Sequence, residues 1–206
     1  ATDWSAPLPL DKPLPPLEQD PEAAALISYS SGTTALPKGA LITHCVWRKA
    51  YDIGERIDQT PDDKLYLCIP LFGSMAMMNG IAPFLARGSS IVLDERFEPG
   101  QMLRSLEQHG CTATHLLPTM VEQLAAHPAL STTDLSKLRI GWVLSDNARI
   151  LDMVSDDLRI PGVMTGYGLT ETTTVLTRNR WDDPREVRLS TQGYPHPDVE
   201  LRITDP

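Results

Sequence analysis

The stretch from Tyr29 to Gly39 reads Tyr-Ser-Ser-Gly-Thr-Thr-Ala-Leu-Pro-Lys-Gly, which gathers Ser30, Ser31, Gly32, Thr33, Thr34 and Lys38 in one short segment. Hydroxyls and backbone N–H groups in such a segment can converge on an anion, and glycine lets the backbone approach it closely. Lys38 adds a compact point charge suited to phosphate. The apolar runs Ala23–Ile27 and Ala40–Ile42 on either side predict a buried strand, an exposed loop and a second strand. The Walker A spacing, Gly-x-x-x-x-Gly-Lys-Ser/Thr, is not met. Counted from Gly32, Pro37 stands where the second glycine belongs and Gly39 where the metal-binding hydroxyl belongs, so a Walker A nucleotidase is excluded. A second block, Gly166-Tyr167-Gly168-Leu169-Thr170-Glu171-Thr172, sets an aromatic ring between glycines and follows it with a hydroxyl and a carboxylate.

The order Ser-Gly-Thr-Thr-x-x-Pro-Lys-Gly resembles the phosphate loop of the adenylate-forming (AMP-binding) family, which holds acyl-CoA synthetases, aryl-CoA ligases, luciferases and the adenylation domains of peptide synthetases. Gly166–Thr172 resembles that family's Gly-Tyr-Gly-x-Thr-Glu motif, and the two blocks stand in the family's order and at a family-like separation. The resemblance runs from about Glu22 to Pro206 and implies part of the large N-terminal domain, residues 22–206, after a Pro-rich extended segment at 1–21. The family's small C-terminal lid, its ribose-binding aspartate and its lid lysine then lie outside the chain, which is expected to fold but to have little ligase activity alone.

In this family a carboxylate attacks the α-phosphate of ATP to give acyl-adenylate and pyrophosphate, and the thiol of coenzyme A then displaces AMP. Such catalysis is mostly positioning and electrostatic stabilisation. The resemblance implies that Ser30, Ser31, Gly32, Thr33, Thr34 and Lys38 hold the β- and γ-phosphates and that Thr170 touches the α-phosphate. It implies that Glu171 binds Mg²⁺, a hard cation that takes oxygen ligands, and that Tyr167 stacks on adenine while Gly166 and Gly168 allow close approach. Thr170, Glu171 and Lys38 are its candidate catalytic residues. The implied function is that of an ATP-dependent acyl-CoA synthetase.

The chain departs from the pattern in places. Ala35 stands where the family usually has glycine, so the loop is expected to be stiffer or set differently. Pro70-Leu71-Phe72-Gly73 resembles the Pro-Leu-Phe-His segment of acyl-CoA synthetases with Gly73 in place of histidine, implying a more open acyl pocket or thiol channel. Ser145-Asp146-Asn147-Ala148 replaces a small Gly-rich turn; Asp146 there either repels a carboxylate or faces solvent while Asn147 caps a helix. Phe72, Gly73, Asp146 and Asn147 are thus the candidate substrate pocket. Met75, Met77, Met78, Phe72 and Phe84 either pack the core or line an apolar pocket suited to a fatty, aromatic or alicyclic acid. Peptide-synthetase domains carry an aspartate nearby, and none stands between Lys64 and Arg87, which weighs against an amino-acid substrate. A degenerate nucleotide or acyl binder without catalysis and a structural or scaffolding role are the other readings.

The elements that must position these residues follow from periodicity. Lys64–Ile69, Ser90–Leu93, Thr112–Leu117, Arg139–Leu144 and Val163–Tyr167 read as strands. A helix from Thr43 or His44 to about Asp58 sets Val46, Trp47, Ala50, Tyr51 and Ile57 on one face. Further helices are expected over about 75–86, between Pro99 and Gly110, from a Thr119/Glu122 capping box to before Pro128, and over 147–157. Alternation of strand and helix predicts an α/β fold, a mostly parallel sheet with helices on both faces. Val199–Ile203 reads as a last strand, in the same or a different sheet.

A chain of 206 residues with 41% hydrophobic and 22% charged residues fits a globular domain with ample core. The net charge of −9 argues against nucleic acid as a partner but not against ATP, because a local loop can bind phosphate within an acidic protein. Cys45, Cys68 and Cys111 are widely spaced and odd in number, which predicts reduced thiols and a cytoplasmic setting. The uncharged run Leu65–Ala86 has the length of a membrane span but contains Pro70, Gly73, Asn79, Gly80 and Pro83, so a strand, a loop and a buried helix explain it better. Oligomeric state is left open.

Overall fold

A computed structural model describes residues 20–30, 36–173, 175–197 and 199–205. Its centre is a five-stranded parallel sheet in the order β4-β3-β5-β6-β7, formed by β3 (Lys64–Leu67), β4 (Ser90–Leu93), β5 (Ala113–Leu116), β6 (Ile140–Val143) and β7 (Gly162–Met164). Every residue of β5 and β6 is buried, as expected of parallel strands covered on both faces.

The strand order dictates where the helices go. The step from β3 to β4 runs one way across the sheet, and the steps through β5, β6 and β7 run the other way. Right-handed crossovers then place the intervening helices on opposite faces. α4 (Pro99–His109), α5 (Pro118–Ala125) and α6 (Ala148–Asp152) pack together on one face. On the other lies one helical run: α2 (Ser74–Ala76), a π-helical segment (Met77–Ile81) and α3 (Ala82–Ala86), with α1 (Val46–Arg56) against it. This is the α/β architecture that the alternation predicted.

Side-chain alternation along β5 and β6 assigns the two faces. Thr114 and Leu116 meet Met102, Leu106 and Leu124 beneath α4 and α5. A Cβ on Gly141 would meet Val154 and Ile160 on that same side. His115 and Trp142 therefore point to the opposite face, toward the helical run of 74–86.

Helix ends follow local chemistry, and not always the expected residue. α4 starts at Pro99 and stops at Gly110 (φ 58°, ψ 48°), as predicted, and the Glu98 carboxylate accepts from Gly100 N at 2.9 Å as an additional cap. The Thr119/Glu122 capping box does not form. α5 begins at Pro118, whose fixed φ suits a first turn, and Leu117 stands at the cap without a side-chain bond. Neither Thr43 nor His44 caps α1. Cys45 occupies that position, and His44 Nδ1 instead accepts from Trp47 Nε1 at 3.1 Å. The buried face of α1 is Val46, Ala50, Ile53 and Gly54, with Ile57 just beyond, while Trp47 and Tyr51 are exposed, one step round the helix from that stripe.

Three strand expectations need correction. β1 (Ala24–Ser30) and β2 (Lys38–Thr43) pair as an antiparallel hairpin outside the central sheet, and the first strand is not buried. It packs on an apolar cluster of Ile42, Val46 and Met78, with Leu26, Ala40 and Met77 partly buried beside it, while Ile27 and Leu41 stay exposed. β7 ends at Met164 because the chain beyond it bonds elsewhere: Leu176 N donates to Tyr167 O at 2.7 Å and Asn179 N to Thr165 O at 3.2 Å. Val199–Ile203 forms no strand among the described residues; the last pairing is between β8 (Thr177–Arg178) and β9 (Tyr194–Pro195), with α7 (Arg185–Ser190) between them. All three cysteines are free. No helix of the described residues is long and apolar enough to cross a membrane, and Leu65–Ala86 divides into β3, a turn and the helical run.

Candidate active site

Ser30 and Lys38 face each other as the last register pair of the hairpin, so the Ser/Thr/Gly segment is its connection. Ser31, Gly32, Thr33, Thr34 and Ala35 lie outside the described residues. Lys38 is exposed and Ser30 half-buried. Thr170, Glu171 and Thr172 form a single 3₁₀ turn that packs against both β1 and β2. The turn of the second motif thus packs on the hairpin that carries the first, far from it in sequence.

The turn is short because its own side chains close it. Thr172 Oγ1 accepts from Leu169 N at 2.9 Å and donates to Leu169 O at 3.0 Å. Thr173 then adopts the left-handed conformation (φ 60°, ψ 32°), uncommon for a β-branched residue. Lys49, from α1, holds this geometry: its Nζ donates to Thr172 O at 3.2 Å and to Thr173 Oγ1 at 3.1 Å. Burial pushes the Lys49 ammonium below its ordinary pKa, and Asp52 opposes that in part. Glu171 opens onto a cavity of about 1000 Å³, lined also by Thr43, Lys49, Asp52, Thr173 and His196. No ion pair or hydrogen bond engages the Glu171 carboxylate among the described residues.

Gly166, Tyr167 and Gly168 follow β7 directly. Tyr167 is half exposed, with its N–H donating to Thr177 Oγ1 at 3.1 Å, which leaves its ring at the surface. Gly166 is required by the protein itself: a Cβ there would sit 2.2 Å from Thr177 O. Phe72 and Gly73 follow β3, and Asp146 and Asn147 follow β6, so all four stand at the carboxyl edge of the sheet. The strand order reverses between β3 and β5, and the carboxyl edge at such a point is where open α/β sheets bind ligands.

Phe72 is 87% exposed and Gly73 is the N-cap of α2. Asn147 Oδ1 accepts from Arg149 N at 3.0 Å and Asp146 is exposed, which is the capping alternative of the two readings. Met75, Met78 and Phe84 are core residues. The four pocket candidates do not line the cavity that holds Glu171.

Sequence reasoning missed three residues. Lys49 carried a signal, since it lies three residues after Val46 and four before Ile53, on the face α1 buries. His196 pairs through Nδ1 with Asp52 Oδ2, and Arg56 Nε donates to the same carboxylate oxygen at 3.2 Å. Arg56 also donates to Tyr194 O at 3.0 Å and Pro195 O at 2.7 Å, tying α1 to β9. Burial, then the Arg178 and Arg56 charges, hold the His196 pKa below normal despite Asp52. Arg178 is buried beneath Gly166. In the one-dimensional pattern it sits in a polar run, Thr-Arg-Asn-Arg, that reads as surface.

A parallel α/β sheet with a Ser/Thr/Gly-Lys hairpin connection and a Thr-Glu turn at its carboxyl side defines an adenylate-forming N-terminal domain. The family model for the AMP-binding enzyme matches residues 2–206, and the chain belongs to that family. It is similar to the feruloyl-CoA synthase of Amycolatopsis sp., 31% identical over 201 residues that are 95% of this chain and 40% of that protein. It is similar as well to 4-coumarate-CoA ligase 1 of Narcissus pseudonarcissus, 29% identical over 94% of this chain and 37% of that one. Among solved structures, the amide bond synthetase McbA from Marinactinospora thermotolerans superposes with a TM-score of 0.77 at 30% identity, over 98% of this chain and 41% of that chain. ATP-bound MatB from Rhodopseudomonas palustris gives 0.81 at 26% identity, over 92% and 37%. The chain thus spans about two fifths of the length of the relatives it matches.

Proposed function

We propose that these residues are an internal portion of the large N-terminal domain of an ATP-dependent acid–thiol ligase, which activates a carboxylic acid as its adenylate and passes the acyl group to coenzyme A. The observation that supports this is the packing of the Thr170–Thr172 turn against both strands of the hairpin, whose last register pair is Ser30 and Lys38. In this reading the cation and hydroxyls of the hairpin connection work together with the carboxylate of that turn. The CoA ligases among the relatives and the ATP-bound neighbour support the choice of reaction.

In this reading Lys38, with Ser30 and the Ser31–Thr34 stretch, neutralises the β- and γ-phosphates, while the Thr170 hydroxyl holds the α-phosphate for in-line attack by the acid. Tyr167 offers a ring to adenine. Glu171 fits Mg²⁺: its carboxylate is exposed to the cavity, and Mg²⁺ is commonly held by one or two carboxylates plus phosphate oxygens and water. No cluster of three or more His, Cys, Asp or Glu occurs among the described residues, which suits a cation carried in by nucleotide rather than an all-protein cage. When bound, the ion supplies positive charge where the leaving pyrophosphate gathers negative charge. Lys49 fixes the turn that presents Glu171. The aromatic acids named in two relatives favour a ring-bearing acid over a long fatty chain.

The test is trapping of the activated acyl group. The complete protein, given Mg²⁺-ATP, a panel of acids and hydroxylamine, is expected to release an acyl hydroxamate with one class of acid. Mg²⁺-ATP binding without hydroxamate from any acid would identify a nucleotide binder that no longer catalyses.

A further inference from the structure

Arg178 is 1% exposed, and among the described residues no carboxylate forms an ion pair with it. Its Nη2 donates to Asn79 Oδ1 at 2.8 Å, and its guanidinium lies 3.8 Å over the Trp142 ring. Four other polar atoms of this cluster are left over. Arg178 Nε, Asn79 Nδ2, Trp142 Nε1 and His115 Nδ1 are all buried without a hydrogen-bond partner. The first three are N–H donors in every protonation state open to them at neutral pH. Buried donors are almost always paired, and a buried charge nearly always is, so three orphan donors around one cation mark a place built for an acceptor.

Burial and the Arg56 charge lower the Arg178 pKa to about 9, which still leaves it cationic at neutral pH. Burial and the Arg178 charge push His115 down to about 3, so its ring is neutral and adds no competing charge. His196, Arg56 and Asp52 are the other titratable groups acting on Arg178 or sharing its surroundings.

The cluster lies near the carboxyl edge of the sheet. His115 and Trp142 are register partners near the carboxyl ends of β5 and β6, on the face toward the helical run. Asn79 lies in the π-helical segment of that run, which begins beside Gly73; such segments frequently mark functional sites. Gly166 forms the roof: a Cβ there would lie 3.0 Å from Trp142 Cη2 and 3.2 Å from Arg178 Cα.

We infer that Arg178, Asn79 and Trp142 form the distal end of the acid site and bind a second carboxylate, so that the substrate is a dicarboxylic acid. One carboxylate is adenylated at Thr170, and the other accepts from Arg178 Nε, Asn79 Nδ2 and Trp142 Nε1. The inference rests on the adenylation reading above and narrows its substrate class from ring-bearing acids to acids with an anion at the far end.

The test compares α,ω-dicarboxylic acids, aliphatic and aromatic, with monocarboxylic acids of equal carbon count in ATP–pyrophosphate exchange by the complete protein. At least one diacid should exceed its matched monoacid by about tenfold or more in kcat/KM, the scale expected for pairing a buried charge. Arg178→Met should bring the diacid-to-monoacid ratio of kcat/KM down to about one, and Arg178→Lys should restore part of it. Matched monoacids that equal or beat every diacid, with selectivity unchanged in Arg178→Met, would overturn the inference and leave adenylation standing; buried water would then satisfy the cluster. If no acid of either kind supports exchange, the adenylation reading fails. Calorimetric binding of the diacids then decides the subsite alone: binding lost in Arg178→Met supports it, and no binding overturns it. Should Arg178→Met fail to fold, Asn79→Leu, which removes one donor at similar volume, serves in its place.

Discussion

Glu171 and Lys49 face the same cavity from different elements and do different things there. Glu171 presents an unengaged carboxylate, whereas Lys49 spends its ammonium on Thr172 O and Thr173 Oγ1. Glu171→Gln keeps the shape and removes the charge. In the complete protein it should cut the adenylation rate by about a hundredfold or more, the usual size for losing one preorganised electrostatic group, with the Mg²⁺ concentration for half-maximal rate moved upward. Lys49→Met should leave nucleotide affinity nearly intact yet lower kcat by roughly tenfold, because a charged hydrogen bond of about 1.5–3 kcal/mol no longer holds the strained Thr173 turn. Measured kcat and KM separate the two effects. Equal loss in both parameters for Lys49→Met would indicate direct contact with nucleotide instead of positioning.

At the scale of elements, much of the sheet was legible because its strands are short apolar runs bounded by turn residues, and Pro99 and Gly110 bracket α4 by the same local rules. What was not legible depended on partners. Ile27 read as buried from its neighbours in sequence, yet it is exposed in a hairpin that lies outside the main sheet. Arg178 was not singled out because its partners, Asn79 and Trp142, come from distant parts of the chain. Lys49 could have been found, since a lysine on a helix's buried face needs a partner.

The amino end of the sheet offers a stability test at this scale. Asp63 is buried, and it accepts from Arg139 Nε at 2.9 Å and from the Thr112 hydroxyl at 2.6 Å. Burial raises its pKa, but these bonds and the Arg139 charge outweigh that and hold it below the ordinary carboxylate value. Its stabilising effect is therefore present above the unfolded-state pKa and is lost as pH falls through the lower native value. Asp63→Asn should lower stability at neutral pH by about 3–5 kcal/mol, read from urea denaturation. A loss below 1 kcal/mol, on the order of a surface pair, would contradict that account.

Across the whole molecule, charge and burial converge on the layer between α1, the helical run and β8–β9. His115, lowered to about 3, and His196, also lowered, are both neutral in the folded state at pH 7. Unfolded histidines titrate near about 6.5, so below that pH the unfolded chain binds protons that the native one refuses. Stability should be full above about pH 6.5 and fall as the pH drops toward the native values, by up to roughly 1.4 kcal/mol per pH unit for each histidine. His115→Leu should remove about half of that slope in denaturation curves, and an unchanged slope would show that His115 accepts a proton in the native state. Arg56, bonded to carbonyls of β9 and to Asp52, links this layer to the Glu171 cavity.

The most direct measurement is acid-dependent ATP–pyrophosphate exchange, run on the complete protein and on residues 1–206 alone. The complete protein should exchange label only when the right carboxylic acid is present, with Lys38→Met and Glu171→Gln each reducing the rate by about a hundredfold. Residues 1–206 alone should exchange little or none. Exchange that ignores the acid, or none with any acid, would contradict the claim that the corner formed by the hairpin and the Thr170–Glu171 turn adenylates a carboxylate.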